Sequence, residues 1–178
     1  MDISRDVAVT GVGVISSIGC GRSPFWNALV GGMSGVKPIA AFDSSRHKTR
    51  IASEVSSFEP ERSLDHKQIR RMARVSQFAV CAGLDAVRDA GLELDKDDRS
   101  RIGCVIGSAA GDYSNLEEQL VRFREKGPGF VHALTIPKVI PNMPACNVAI
   151  ALGIHGPNLG VSAACSTGCH AIGMGQGS

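Results

Sequence analysis

The chain has 178 residues, 43% of them hydrophobic and 20% charged, the profile of a soluble globular chain of one domain. A formal net charge of +2 points to no nucleic-acid partner, and aromatics at 4% are too few for a base-stacking platform. No run approaches the ~18 apolar residues of a membrane span, so no membrane partner is expected.

The opening Met1-Asp-Ile-Ser-Arg-Asp6 lacks a basic stretch followed by an apolar core, so a cytoplasmic location is the expectation, with earlier removal of a transit peptide left open. Asp6-Val-Ala-Val-Thr-Gly-Val-Gly-Val-Ile15 reads as a strand buried on both faces, as in a parallel sheet. Its Gly11-Val-Gly13 lacks the third glycine of a dinucleotide fingerprint, and a tight turn without a cofactor is expected there. Ser23-Pro24 reads as cap and first turn of a helix whose apolar face is Phe25, Trp26, Leu29 and Val30 and whose stop is Gly31-Gly32. Residues 33–64 read as loops with short strands, one near Arg50–Val55, and His47 as a solvated loop residue.

The strongest helical pattern runs from Asp65 to Gly91, with Asp65 and Gln68 as a capping box and Gly91 as the left-handed stop. Ile69, Met72, Ala73, Val80, Leu84, Val87 and Ala90 mark its apolar face. Lys67, Arg70, Arg71 and Arg74 fall in its first turns, where they oppose the helix dipole. They are either a solvated face or a docking patch for an acidic partner. Arg101–Ser108 is a second buried strand, leading into Ala109-Ala110-Gly111. Ser114 with Glu117 reads as a capping box for a helix ending before Gly127, and the stretch holding Pro137, Pro141 and Pro144 as irregular. A short helix over residues 144–152 stops at Gly153, His155-Gly-Pro-Asn158 is a turn, and Leu159–Ala164 is a third strand. Alternating strands and helices give an α/β class with a mainly parallel sheet.

That last strand delivers Cys165 to a tight turn at the start of a further helix, among the small residues Ala163, Ala164, Ser166 and Gly168. Unpaired N–H groups at a helix start favour a thiolate, which is the nucleophilic form, and small neighbours let an acyl group approach. Cys165 is the candidate nucleophile, on a turn of the nucleophile-elbow kind. His170 is adjacent in sequence, but five helical residues at about 100° each turn it roughly 140° away. It reads as a packing or hydrogen-bonding residue, and neither His132 nor His155 has a context that makes it the base. The six cysteines (20, 81, 104, 146, 165 and 169) lie mostly in apolar segments, and free thiols are expected. Cys165 and Cys169 lack a second ligand pair at zinc spacing, so no metal is expected.

Ser162-Ala-Ala-Cys165-Ser-Thr-Gly168-x-His170-Ala-Ile-Gly173 closely resembles the nucleophile motif of the β-ketoacyl synthases, the 3-oxoacyl-(acyl carrier protein) synthases. Val9–Gly13, the Arg101–Ser108 strand and Ile140–Met143 resemble the same family's N-terminal half, and the likeness covers almost the whole chain. It implies a thiolase-like fold of αβαβα layers, with residues 1–178 forming an N-terminal domain that stops within the helix after the nucleophile. It further implies an acyltransferase of fatty-acid or polyketide synthesis. An acyl group would pass to Cys165 as a thioester, and malonyl-acyl carrier protein would lose carbon dioxide and condense with it. The Cys165 N–H would supply half of an oxyanion hole.

The implied partners are acyl carrier protein, acyl and malonyl thioesters and a second copy in a homodimer, with no cofactor. Ala109, Ala110 and Ala164 are the implied substrate-binding positions; Ala110 stands where the family often has a bulkier gate, which implies room for longer acyl chains. Lys67, Arg70 and Arg71 match the family's carrier-docking patch. A second basic pair after the Gly-Pro turn is replaced by Gly129-Phe130, and Ser17 stands where Pro is common. In the family two catalytic histidines, a lysine and a glycine-rich loop lie in the C-terminal half, so these 178 residues alone are expected not to condense substrates. Two other readings remain: a non-catalytic partner, either chain-length-factor-like or a truncated interaction module, and a thiolase. Relatives of the chain-length-factor kind lack the cysteine, and a thiolase fits the Ala-Cys-Ser-Thr-Gly-x-His run poorly.

Overall fold

The computed structural model describes residues 6–176; the start of the chain, read above for its lack of a leader, and residues 177–178 lie outside it apart from Asp6. Its elements are β1 (Ile15–Ser16), β2 (Gly19–Cys20), α1 (Arg22–Val30), β3 (Val36–Pro38), β4 (Ile51–Ser53), α2 (His66–Arg71), α3 (Arg74–Ala90), β5 (Cys104–Gly107), α4 (Tyr113–Lys126), α5 (Thr135–Val139), α6 (Met143–Leu152), β6 (Asn158–Val161) and α7 (Thr167–Gln176). β5 and β6 pair in parallel; β1–β2 and β3–β4 are short antiparallel pairs.

The core lies where α3, α6 and β5 meet. Met72, Val80, Cys81, Cys104, Ala145 and Val148 are buried there, joined by Leu64 and Ile154. Val148 reaches α3 at Gly83, where an added Cβ would stand 3.3 Å from its Cγ1. β5 is faced from two sides: the Cys104 thiol points at the Ala145 carbonyl of α6, 3.6 Å away, while Val105 lines a cavity with Ala171 and Ile172 of α7. Successive strand residues facing opposite layers give the helix–sheet–helix stacking of an α/β protein.

Several local expectations hold. Asp65 caps α2 in a reciprocal capping box with Gln68, at 2.8 and 2.9 Å. Gly91 and Gly153 end their helices at φ of 68° and 63°. A strand falls at Ile51–Ser53, and His47 lies exposed with its ring edge-on to Phe42. All six cysteines are free.

Others are corrected. Residues 6–14 form no regular element and carry no strand pairing, and Val7, Val9 and Val12 are exposed, so this is not a strand buried on both faces. Gly11 and Gly13 serve a close approach rather than a turn. A Cβ at Gly13 would lie 1.8 Å from the Ala82 carbonyl oxygen of α3, and one at Gly11 2.3 Å from that of Ala86. Helix α1 starts two residues earlier than expected, at Gly21 as N-cap with φ 92°, so Ser23 is not the cap, and Trp26, Leu29 and Val30 of its apolar face are exposed. Asp112, not Ser114, caps α4, its carboxylate accepting from the Asn115 N–H at 3.0 Å. The proline-punctuated stretch contains the one-turn helix α5.

The helix read as continuous from 65 to 91 breaks at Met72 and Ala73, whose ψ values are 144° and 156°. The break is held by side chains from later in the chain. The Gln77 amide donates to the Ile69 and Met72 carbonyls, and Arg74 donates to the Val55 carbonyl while lying over the Phe58 and Phe78 rings. One consequence reverses an expectation. Arg70 and Arg71 sit in the last turn of α2, where positive charge favours the helix dipole instead of opposing it. Ser17 uses the hydroxyl a proline would lack, hydrogen-bonding the Ser53 hydroxyl at 2.5 Å.

Candidate active site

Parallel strands β5 and β6 end level with each other, Gly107 opposite Val161. The loops that follow therefore leave the same end of the pair, the end at which open α/β sheets place their sites. One loop, Ser108–Gly111, leads to α4; the other, Ser162–Ser166, leads to α7. Hydrogen bonds tie them together. The Ser108 N–H donates to the Val161 carbonyl at 2.9 Å, and the Ser162 hydroxyl donates to the Ala109 carbonyl at 3.2 Å. Ser108 also donates through its hydroxyl to the Ala110 carbonyl at 2.5 Å. A Cβ at Gly111 would fall 1.4 Å from the Val139 carbonyl oxygen, so this loop is pressed against the end of α5 and only glycine fits.

Cys165 is the middle residue of a single 3-10 turn, Ala164–Ser166, that runs directly into α7. The preceding Ala164 has φ 48°, the single positive-φ residue other than glycine among the described residues. Left-handed backbone costs an L-residue about 1–2 kcal/mol, so the surroundings must hold it. The turn lifts the Cys165 side chain into the open, where it is exposed. Its backbone N–H makes no hydrogen bond among the described residues, while the Ser166 N–H donates to the Ala163 carbonyl at 3.1 Å. An exposed thiol beside an unengaged N–H at the start of a helix can attack a carbonyl and receive the resulting oxyanion.

Of the positions singled out in the sequence, the fold brings Ala109, Ala110, Ala164 and Cys165 to this one end of the β5–β6 pair. Lys67, Arg70 and Arg71 lie on α2, exposed and in no ion pair among the described residues. Arg74 is separate in use, being committed to Val55 and the two phenylalanine rings. Exposed Phe130 belongs to a 3-10 turn after α4. His170 is turned back along α7, its Nδ1–H donating to the Ser166 carbonyl at 3.0 Å. His132 accepts the Leu134 N–H at Nδ1, 3.1 Å away, and His155 lines an open pocket with Cys146 and Asn158. No histidine is hydrogen-bonded to Cys165 among the described residues. No cluster of three metal-ligating side chains occurs among them, and none of their helices is long and apolar enough to cross a membrane.

The sequence did not single out Thr167. It is buried, its Oγ1 accepts the Ala163 N–H at 2.8 Å, and it donates to the Ala164 carbonyl at 2.7 Å. A threonine two residues after a cysteine carries no pattern of its own; only the backbone conformation at Ala164 reveals what it holds.

Residues 4–177 match the family model described as the β-ketoacyl synthase N-terminal domain. The chain is 39% identical over 169 residues to a 3-oxoacyl-[acyl-carrier-protein] synthase 2 of Vibrio cholerae, covering 95% of this chain and 41% of that protein. It thus spans about two-fifths of the length of the curated relatives it matches. Among solved structures, the ishigamide ketosynthase/chain length factor superposes with a TM-score of 0.78 at 30% identity, over 86% of this chain and 39% of that one. A ketosynthase of a type II polyketide system, solved in complex with its acyl-carrier protein, shares the fold at TM-score 0.79 and 19% identity, over 93% and 44% of the two chains.

Proposed function

The chain belongs to the β-ketoacyl synthase family as its N-terminal domain, with a thiolase-like fold, and from this we propose that it carries the acyl-accepting nucleophile of a decarboxylating condensing enzyme. The observation that supports it is the exposed Cys165 thiol on the strained Ala164 turn at the start of α7. The thiolate attacks the thioester carbonyl of an acyl-carrier protein; the carrier's sulfur leaves as a thiolate, and the acyl group remains on Cys165. The carbanion formed as malonyl-carrier protein loses carbon dioxide then attacks that thioester, forming the new carbon–carbon bond and releasing the cysteine. Covalent capture divides one difficult step into two easier ones. The Cys165 N–H takes one side of the oxyanion, and Ala109, Ala110 and Ala164 leave space for the acyl chain.

The acid–base groups for the second step come from the part of the relatives' length that these residues do not span. Lys67, Arg70 and Arg71 form the patch for the acidic carrier, since charges left free of ion pairs steer an oppositely charged partner. Gly129-Phe130 makes that docking weaker or differently distributed than in relatives with a second basic pair. The enzyme acts as a cytoplasmic homodimer. The retained thiol favours this catalytic reading over that of a non-catalytic chain-length-factor-like subunit.

A cysteine-directed acyl analogue tests the proposal. Mass spectrometry of the labelled protein is expected to find Cys165 modified well ahead of the other five cysteines. Uniform labelling, or none at Cys165, would overturn it.

A further inference from the structure

We propose that Thr167 is a positioning residue for the nucleophile: its hydroxyl holds Ala164 left-handed and thereby sets the direction of the Cys165 thiol and N–H. The inference rests on the reading of Cys165 as nucleophile. Left-handed backbone at a residue with a Cβ persists only where its surroundings over-determine it. Here the same oxygen grips both sides of the strained residue. Thr167 Oγ1 accepts the Ala163 N–H at 2.8 Å and donates to the Ala164 carbonyl at 2.7 Å. That carbonyl also accepts the Thr167 backbone N–H, so residues 163–167 close into a small hydrogen-bonded ring with Cys165 at its open edge.

The oxygen is itself held in place. Thr167 is 6% exposed, and its methyl carbon lies where the last residue of β5 would clash with any side chain: a Cβ on Gly107 would be 2.7 Å from Thr167 Cγ2. A β-branched side chain has few rotamers to begin with, and in the one adopted the methyl lies toward Gly107 while the hydroxyl makes both hydrogen bonds. The hydroxyl's two hydrogen bonds thus hold the ring, and the ring sets the cysteine. Cys169, one turn further along α7 and also exposed, makes none of the ring's side-chain hydrogen bonds and serves as an internal reference.

The test is site-resolved alkylation of the full chain by iodoacetamide at neutral pH, read as the ratio of the Cys165 rate to the Cys169 rate, in wild type, Thr167→Val and Thr167→Ser. Valine keeps the shape without the hydroxyl; serine keeps the hydroxyl. The expected ratio falls about tenfold in Thr167→Val, the equivalent of one lost hydrogen-bonding group, and stays within about twofold of wild type in Thr167→Ser. An unchanged ratio in folded Thr167→Val overturns the inference. So does a tenfold fall in Thr167→Ser, which stays informative should the valine variant fail to fold. A wild-type Cys165 no more reactive than Cys169 overturns instead the nucleophile reading beneath it.

Discussion

Two apolar regions of this molecule use the same residue types and meet opposite fates. In the block of α3, α6 and β5, Val80 is 1% exposed and Val148 4%; in the segment 6–14, Val9 is 84% exposed. Residue type cannot explain the difference, and geometry does. β5 has β6 along one edge, α6 on one face and α7 on the other. The segment lies along α3 on one side, and among its described residues only Val12 and Val14 line an open cavity with Phe25 and Trp26 of α1. It runs antiparallel to α3, Gly13 against Ala82 and Gly11 against Ala86 and Ala90, and the Val12 N–H donates to Asp89 at 3.0 Å. Gly11 meets α3 at Ala90, its last residue, and among the described residues Val9 and Val7, which precede Gly11, are exposed. Burial is thus conferred by neighbours, and a run of valines states only what a segment could bury.

The sharpest way to break this comparison is to truncate one valine in each region. Val80→Ala is expected to lower unfolding free energy by about 2 kcal/mol, from lost transfer energy and the cavity left behind. Val9→Ala should change it by less than about 0.5 kcal/mol, as exposed substitutions do. Urea denaturation of both variants at one pH is the measurement; equal losses would mean that the segment is packed as tightly as the core.

The seam between the regions comes next. Gly13→Ala places a Cβ against a helix backbone that cannot yield, so the segment must lift from α3, at a cost of about 1–2 kcal/mol. Hydrogen exchange should then show the Val12 amide losing protection while the interior amides of α3 keep theirs. Gly129→Ala, whose added Cβ meets nothing within 4 Å, is the matching control. Loss of protection throughout α3 would show that the segment and the helix form one cooperative unit.

What could be read from the sequence follows the same division. Local signals were legible because they act over a few residues: the Asp65–Gln68 box, the Gly91 and Gly153 stops, the turn at Cys165 and the existence of β5 and β6. β5 starts, however, at Cys104 rather than Arg101 and β6 stops at Val161 rather than Ala164, the residues cut off lying in 3-10 turns or without regular structure. Features set by distant parts of the chain were not legible. The break at Met72–Ala73 has no glycine or proline to mark it; Gln77 and the Val55 carbonyl make it possible. Gly11 and Gly13 looked like turn residues because the helix they touch lies some 70 positions away in sequence. At the site, Cys165 declared itself through its small neighbours. Thr167 did not, since the role proposed for it concerns the backbone angle of Ala164, three positions earlier. Nor could the sequence show that Ser162 joins the cysteine loop to Ala109.

The smallest expected effect belongs to the packed block alone and appears only in alkali. Burial pushes the Cys81 thiol above its ordinary value of 9.0, with the nearby Asp85 carboxylate adding to the effect and the Ser63 side chain partly opposing it. Burial likewise pushes Cys104 up, with Cys146 adding to it. A thiol held protonated in the folded protein releases its proton first in the unfolded chain. The stabilisation is therefore present in full below about pH 9 and is lost as pH rises through the folded values. Urea midpoints should fall between pH 8 and pH 10. In a Cys81→Ala, Cys104→Ala double variant the protein should start less stable, from the lost core volume, yet fall less steeply over the same interval. A slope as steep as that of wild type would place the alkaline sensitivity outside the α3–β5 core.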